Sequence, residues 1–155
     1  MILDEYVTKS EFDSYEDFVA NFGVRTPADF NFAYDVVDRL AARSPDKRAL
    51  VWRNDRGERA TFTFADMKRS SDKAANLLLA AGIGKGDKVM LILKRRYEFW
   101  FCILALHKLG AVAVPATHLL TSKDIEYRNN AAGIKMIVAV ADRAVIHGVE
   151  EAEAA

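Results

Sequence analysis

The amino-acid sequence predicts an α/β fold: a partial layered sheet of parallel strands flanked by helices, with an antiparallel hairpin on its N-terminal side. Three observations predict it. The strand-like runs 88–93, 111–115 and 135–140 are almost wholly apolar, the pattern of strands buried on both faces rather than one. Capped helical segments separate those runs, so strand and helix alternate as in units with right-handed crossovers. Upstream, the β-rich runs 49–52 and 60–63 flank the turn cluster Asn54-Asp55-Arg56-Gly57, which predicts a hairpin.

The elements follow in order. Residues 1–30 form a polar and aromatic N-terminal extension, in which Ser14-Tyr15-Glu16-Asp17 has capping-box spacing before a Phe18/Val19/Phe22 stripe. Arg25-Thr26-Pro27-Ala28-Asp29 reads as a loop. A helix is predicted over 32–43, with Ala33, Val36, Val37 and Leu40 on one face and Ser44-Pro45 as its stop. Thr63-Phe64-Ala65-Asp66 is a capping box for a helix whose core face is Met67, Ala74, Ala75, Leu78 and Ala81. Gly82 closes that helix, where a positive φ is wanted. Residues 97–109 are apolar almost all round and predict a buried helix ended by Gly110. Thr121 caps a helix to Gly133, and Asp142 starts a last one. The final residues, 150–155, favour helix and carry no cap, glycine or proline, so the sequence is expected to continue beyond them.

Composition bounds the function. Lysine plus arginine (22) equals aspartate plus glutamate (22), and hydrophobic residues make up 51%. A globular protein of this size buries about two-thirds of its unfolded surface. The even charge balance favours neither nucleic acid nor an anionic membrane. The longest basic run, Lys94-Arg95-Arg96, reads as a solvated loop, with contact to phosphate as the other reading. The single cysteine, Cys102, lies in an apolar run and reads as an inert thiol, with no partner for a disulfide or a metal. No apolar stretch is long enough to span a bilayer. The acidic start, Met1-Ile2-Leu3-Asp4-Glu5, lacks the features of a signal peptide, so a cytoplasmic location is expected.

Candidate chemistry is sparse. The glycine cluster Gly82-Ile83-Gly84-Lys85-Gly86 follows a helix and precedes a strand, the reverse of a dinucleotide fingerprint, so it reads as a helix cap and tight loop. His107, His118 and His147 match no zinc spacing. His107 reads as a core histidine and His147 as a surface one. Thr117, His118 and Leu119 are the ligand-edge candidates, because they leave the carboxyl end of a predicted strand. No catalytic residue and no metal ligand is assigned.

Three ordered blocks carry a family resemblance. They are Phe62-Thr63-Phe64-Ala65-Asp66-Met67; the stretch from Ala75-Asn76-Leu77-Leu78 to Gly82-Ile83-Gly84-Lys85-Gly86-Asp87-Lys88-Val89; and Leu106-His107-Lys108-Leu109-Gly110-Ala111-Val112-Ala113-Val114-Pro115. Together they resemble the N-terminal part of the adenylate-forming superfamily, cut before its phosphate-binding loop. The segments Phe30-Asn31-Phe32-Ala33-Tyr34-Asp35-Val36-Val37-Asp38 and Asp124-Ile125-Glu126-Tyr127-Arg128 are similar to its medium-chain acyl-CoA synthetase branch. That branch often has glutamine, on the coenzyme A side, where this chain carries Leu119.

The resemblance implies a ligase that activates a carboxylic acid with ATP and magnesium, then transfers the acyl group to coenzyme A. It also implies that the phosphate loop, the adenosine-binding acids and a catalytic lysine lie further along a complete enzyme. This segment alone is then expected to be inactive scaffold that binds none of these ligands tightly. Two alternatives stay open. One is a non-catalytic interaction module that reuses the half-fold and self-associates through an exposed sheet edge. The other, a small flavodoxin-like nucleotide binder, is disfavoured by the missing phosphate loop.

Overall fold

In the computed structural model, residues 2–154 are described, and they fall into two compact units that divide after Asn31. The first unit holds a 3₁₀ turn, Leu3–Glu5, and helix α1, Tyr15–Asn21. An antiparallel bridge joins Val7 to Val24, and Thr8 N–H donates to the Gly23 carbonyl at 2.9 Å. Ser14 caps α1 by accepting from Asp17 N–H at 3.1 Å. The return bond of a full capping box is replaced. The Asp17 carboxylate accepts from Asp13 N–H at 3.0 Å, from Lys9 at 2.5 Å and from Asn21 at 2.6 Å. Lys9, then the Asp13 amide, then Asn21 hold the Asp17 carboxyl down at about 2.

The second unit carries the α/β layers. A π-helix, Phe32–Asp38, runs straight into α2, Arg39–Arg43. The predicted helix is therefore present, with its first half more widely wound. That winding changes the buried set: Ala33, Val37 and Ala41 are buried, four residues apart, while Val36 and Leu40 are only half-buried. A wider turn of i→i+5 bonds lines up residues four apart better than the α-helical pattern does. Strands β1, Arg48–Arg53, and β2, Arg59–Thr63, pair as the expected antiparallel hairpin.

Helix α3, Phe64–Ala80, opens on a complete capping box. Thr63 Oγ1 accepts from Asp66 N–H at 3.2 Å, and the Asp66 carboxylate accepts from Thr63 N–H at 3.0 Å. Its buried face is Met67, Ser71, Ala75 and Leu78. Ala81, expected in that face, is exposed, because the chain turns away at Gly82 with φ +86. Ser71 was the residue the pattern lacked: it is wholly buried, and its hydroxyl donates to the Lys68 carbonyl at 3.0 Å, so the helix absorbs its polarity.

Strands β3, Lys88–Ile92, β4, Val112–Pro115, and β5, Met136–Ala139, form a parallel sheet in the order β4-β3-β5. Helices α4, Glu98–Leu109, α5, Ser122–Ala132, and α6, Arg143–Glu153, complete the alternation. The central strand separates two cores. Val89 and Leu91 pack with Ala75 and Leu78 of α3 and Ala105 and Leu106 of α4. Met90 and Ile92 pack on the other face with Ile125 of α5 and Val145 of α6. Helix α4 is less enclosed than its apolar sequence suggests: Leu104, Ala105 and Leu106 are buried, whereas Trp100 is 48% exposed. An apolar residue at the surface is ordinary when nothing in the unit covers that side of the helix.

Polar chemistry joins the helices where apolar contact alone would not fix their register. Lys108 of α4 has a side chain only 3% exposed, and its ammonium donates to Asp38 at 2.9 Å and to Asp72 at 2.6 Å. It also lies 5.6 Å from the Tyr34 ring centre. Lys68 closes the set by donating to Asp72 at 2.6 Å. Burial pushes the Asp72 carboxyl up, but the hydrogen bonds from Lys108 and Lys68 outweigh it and leave the group below its ordinary value. Asp72 therefore adds stability at neutral pH, and that stability is lost on acidification through its lowered value.

Two outcomes follow from this packing. Lys108→Met is expected to cost about 2–3 kcal/mol, because two carboxylates lose their shared counter-charge. A urea midpoint measures it, and adding Asp38→Asn and Asp72→Asn should recover part of the loss. In the first unit, Asp17 lies below its ordinary 3.8, so its contribution is full above that pH and fades toward about 2. A carboxyl NMR titration is expected to show this, with Lys9→Met moving the Asp17 midpoint upward.

Candidate functional site

The carboxyl ends of β3, β4 and β5 meet at one edge of the parallel sheet. Helix α4 leaves β3 toward one face, while α5 and α6 leave β4 and β5 toward the other. Neighbouring exits that diverge in this way open a crevice, and ligands of open α/β sheets bind there. Three loops border it: 93–97 after β3, 116–121 after β4 and 140–142 after β5.

The predicted edge residues Thr117, His118 and Leu119 lie in the second loop, and all three are exposed. Leu119 is 77% exposed, which makes it unsuited to a core role. Thr117 Oγ1 accepts from Leu119 N–H at 3.3 Å, so the loop begins as a tight turn. Ala116 N–H donates to the Leu91 carbonyl at 2.9 Å, which anchors the start of this loop against β3.

The first loop holds Lys94-Arg95-Arg96, read from the sequence as a solvated loop with contact to phosphate as the other reading. Its position at the end of the central strand comes from strand order. Lys94 has φ +51, a left-handed conformation that costs a residue with a Cβ about 1 kcal/mol. Several contacts hold the turn. Lys94 Nζ donates to the Asp142 carboxylate at 2.5 Å, tying the exits of β3 and β5 together. Trp52 of β1 donates its indole N–H to the Arg95 carbonyl at 2.6 Å. The same indole meets the Tyr97 ring edge-on at 5.2 Å, and Phe62 lies 4.9 Å from Tyr97 and 5.2 Å from Phe101. The Asp142 carboxyl is held below its ordinary value by Lys94 and then by the Ala144 amide, which it caps.

The remaining candidates lie elsewhere. His107 packs edge-on against Phe32 at 6.4 Å, and burial pushes its imidazole down. His147 is exposed and lies 3.6 Å from Glu151. Cys102 is half-buried, and burial followed by the charge of Glu98 pushes its thiol up, away from the reactive thiolate. In the glycine cluster, Gly84 N–H donates to the Asp87 carboxylate at 2.8 Å, and Lys135 donates to Asp87 at 2.6 Å and to the Gly82 carbonyl at 2.8 Å. Those bonds make it a closed αβ connection at the amino end of the sheet, opposite the ligand edge. Among the described residues there is no group of three metal-binding side chains, and no helix is long and apolar enough to cross a membrane.

Shallow surface grooves lie along α2–α3 and along α6. One of about 420 Å³ runs between α2 and α3 beside Asp38, Lys68 and Asp72, whose charges are already paired. The other, about 630 Å³, starts at Ala141 beside the sheet edge and follows the outer side of α6 along Arg143, Ile146 and Glu150.

Fold and edge together define an α/β unit in which three parallel strands share one carboxyl edge. Residues 37–155 match the family model described as AMP-binding enzyme. The chain belongs to that family. It is 39% identical over 118 residues to the rat protein named acyl-coenzyme A synthetase ACSM5, mitochondrial, covering 72% of this chain and 20% of that one. It is 38% identical over 127 residues to the human acyl-coenzyme A synthetase ACSM3, mitochondrial, covering 78% and 22%. The chain thus spans about a fifth of the length of these relatives. Among solved structures, the Brucella canis acyl-CoA synthetase superposes with TM-score 0.78 at 28% identity, over 90% of this chain and 27% of that one. The N-terminal domain of FACL13 from Mycobacterium tuberculosis superposes with TM-score 0.69 at 30% identity, over 77% and 29%. The resemblance read from the three sequence blocks holds.

The latch on the basic turn is open to a direct check. Trp52→Phe keeps the ring contact and removes the indole donor, at an expected cost of about 1 kcal/mol. Hydrogen exchange of the Arg96 amide, which donates to the Leu93 carbonyl at 3.1 Å, is expected to speed up by a matching factor of about five.

Proposed function

We propose that this chain is the N-terminal scaffold of an acid–thiol ligase that joins a carboxylic acid, best a fatty acid, to coenzyme A through an acyl-adenylate. The observation that carries the reading is the family match over residues 37–155, joined to a sheet edge that offers the cations of the 94–96 turn, the Thr117 hydroxyl and the His118 imidazole. Adenylation needs the triphosphate charge countered and the acid held in line with the α-phosphorus. Magnesium and residues further along the complete enzyme supply both in this reading. The segment itself contributes one wall of the crevice and binds ATP and coenzyme A no more than weakly. A cytoplasmic location and the absence of a nucleic-acid partner belong to the same proposal.

The test is ATP–pyrophosphate exchange. The 155-residue chain is expected to show none, while a gene extended downstream through a Ser/Thr/Gly-rich phosphate loop and the C-terminal lysine is expected to exchange, and to form a thioester once coenzyme A is added. Exchange by the 155-residue chain would remove the scaffold reading. No exchange by the extended, folded protein with a range of carboxylic acids would remove the ligase reading.

A second reading, a non-catalytic interaction module, is favoured by one feature: β4 and β5 each pair on one side only, and an unpaired strand edge is a template for another chain. Sedimentation equilibrium distinguishes the two. A dimer that Val112→Lys or Val114→Lys on β4 disperses supports the module, whereas a monomer at all accessible concentrations removes it.

A further inference from the structure

We propose that the Lys94-Arg95-Arg96 turn is an anion site, built to take the phosphoryl oxygens of a nucleotide ligand. A solvated charge run needs neither a strained backbone nor a fixed position, and this one has both. Lys94 sits at φ +51 in a conformation that glycine would adopt more cheaply. Strain of this kind persists only where the surroundings over-determine it, and such residues cluster at ligand clamps. Here the surroundings are explicit: Asp142 holds the Lys94 ammonium, and Trp52 holds the Arg95 carbonyl.

The contacts divide the three cations by role. Asp142 consumes the charge of Lys94, so that side chain serves as a fixed strut between the β3 and β5 exits. Arg95 and Arg96 are exposed, and no hydrogen bond or ion pair engages either guanidinium among the described residues. Two free guanidinium forks on a rigid turn suit phosphate, whose oxygens accept paired N–H bonds. The nearest acid along the chain, Glu98, directs one carboxylate oxygen into the buried side of α4, with less than 1 Å² exposed. It does not cover the forks. The turn also stands at the end of the central strand, where the exits of β3 and β4 diverge and where Thr117 adds a hydroxyl.

The site follows from the turn alone. Only the choice between ATP and coenzyme A as the source of the phosphate rests on the ligase reading. The experiment is an NMR titration of the 155-residue chain with inorganic pyrophosphate, ATP and adenosine 3′,5′-bisphosphate, following the Trp52 indole N–H and the arginine Nε–H signals. A saturable shift of both is expected at millimolar ligand. Arg95→Gln with Arg96→Gln is expected to weaken affinity about tenfold or more, and Arg95→Lys with Arg96→Lys about threefold, since lysine keeps the charge and loses the fork. The hairpin pair Arg53→Gln with Arg59→Gln removes the same charge from another surface, and is expected to change affinity less than twofold at matched salt.

An absence of saturable shift with all three ligands would overturn the site. So would equal loss in the Arg95/Arg96 and Arg53/Arg59 variants, which would mean a general field and no local fork. Tighter binding of ATP assigns the site to the adenylation step, and tighter binding of the bisphosphate assigns it to coenzyme A. Pyrophosphate binding that persists when the extended enzyme shows no exchange would keep the site and discard the ligase. The reverse pattern would discard the site and keep the ligase.

Discussion

Strand β3 is the constraint on which the second unit depends. Val89, Met90, Leu91 and Ile92 are each at most 1% exposed, and a strand can reach that state only if both of its faces are covered. Each such side chain returns about 1.5–3 kcal/mol on burial. The alternation of its side chains then fixes where everything else goes: Val89 and Leu91 need α3 and α4, and Met90 and Ile92 need α5 and α6. Two cores share one strand. A shift of β3 by a single residue would exchange the two sets, so its register is tightly specified.

Hydrophobic layers of this kind slide easily unless something directional pins them. The Lys108 ammonium does this between the π-helix, α3 and α4, because its bonds to Asp38 and Asp72 tolerate little displacement. Its burial is costly, and the surrounding carboxylates are what make it tolerable. The aromatic set Trp52, Phe62, Tyr97 and Phe101 does the same between the hairpin and the β3–α4 connection. That second latch also holds the basic turn that follows β3 at the carboxyl edge of the sheet.

Much of this was legible along the chain. The capping boxes at Thr63 and Thr121, the glycine caps at Gly82, Gly110 and Gly133, and the apolar runs of the parallel strands all lie where local chemistry placed them. Those signals act within a few residues, so a sequence displays them directly. Misses came where the winding or direction of the backbone departed from a regular α-helix. The wider winding of Phe32–Asp38 shifted burial from Val36 and Leu40 to Ala41, and the exposure of Ala81 followed from the direction of the next turn. Thr117, His118 and Leu119 could be named as edge candidates because they follow the carboxyl end of a predicted strand, but their exposure and the Thr117 turn could not be read there.

The sequence by itself determined the elements, their alternation, and through three ordered blocks the family, because caps, turns and apolar periods are local in origin. Only the tertiary structure decided where the basic residues stand. Lys94, Arg95 and Arg96 read as a solvated run, with contact to phosphate as the other reading; in the fold they stand at the carboxyl edge, Asp142 takes the first charge, and Trp52, 43 residues away, fixes the backbone of the second. No local rule reports a contact made across that separation. It exists because β3 is buried on both faces, and the chain on either side must pack around it.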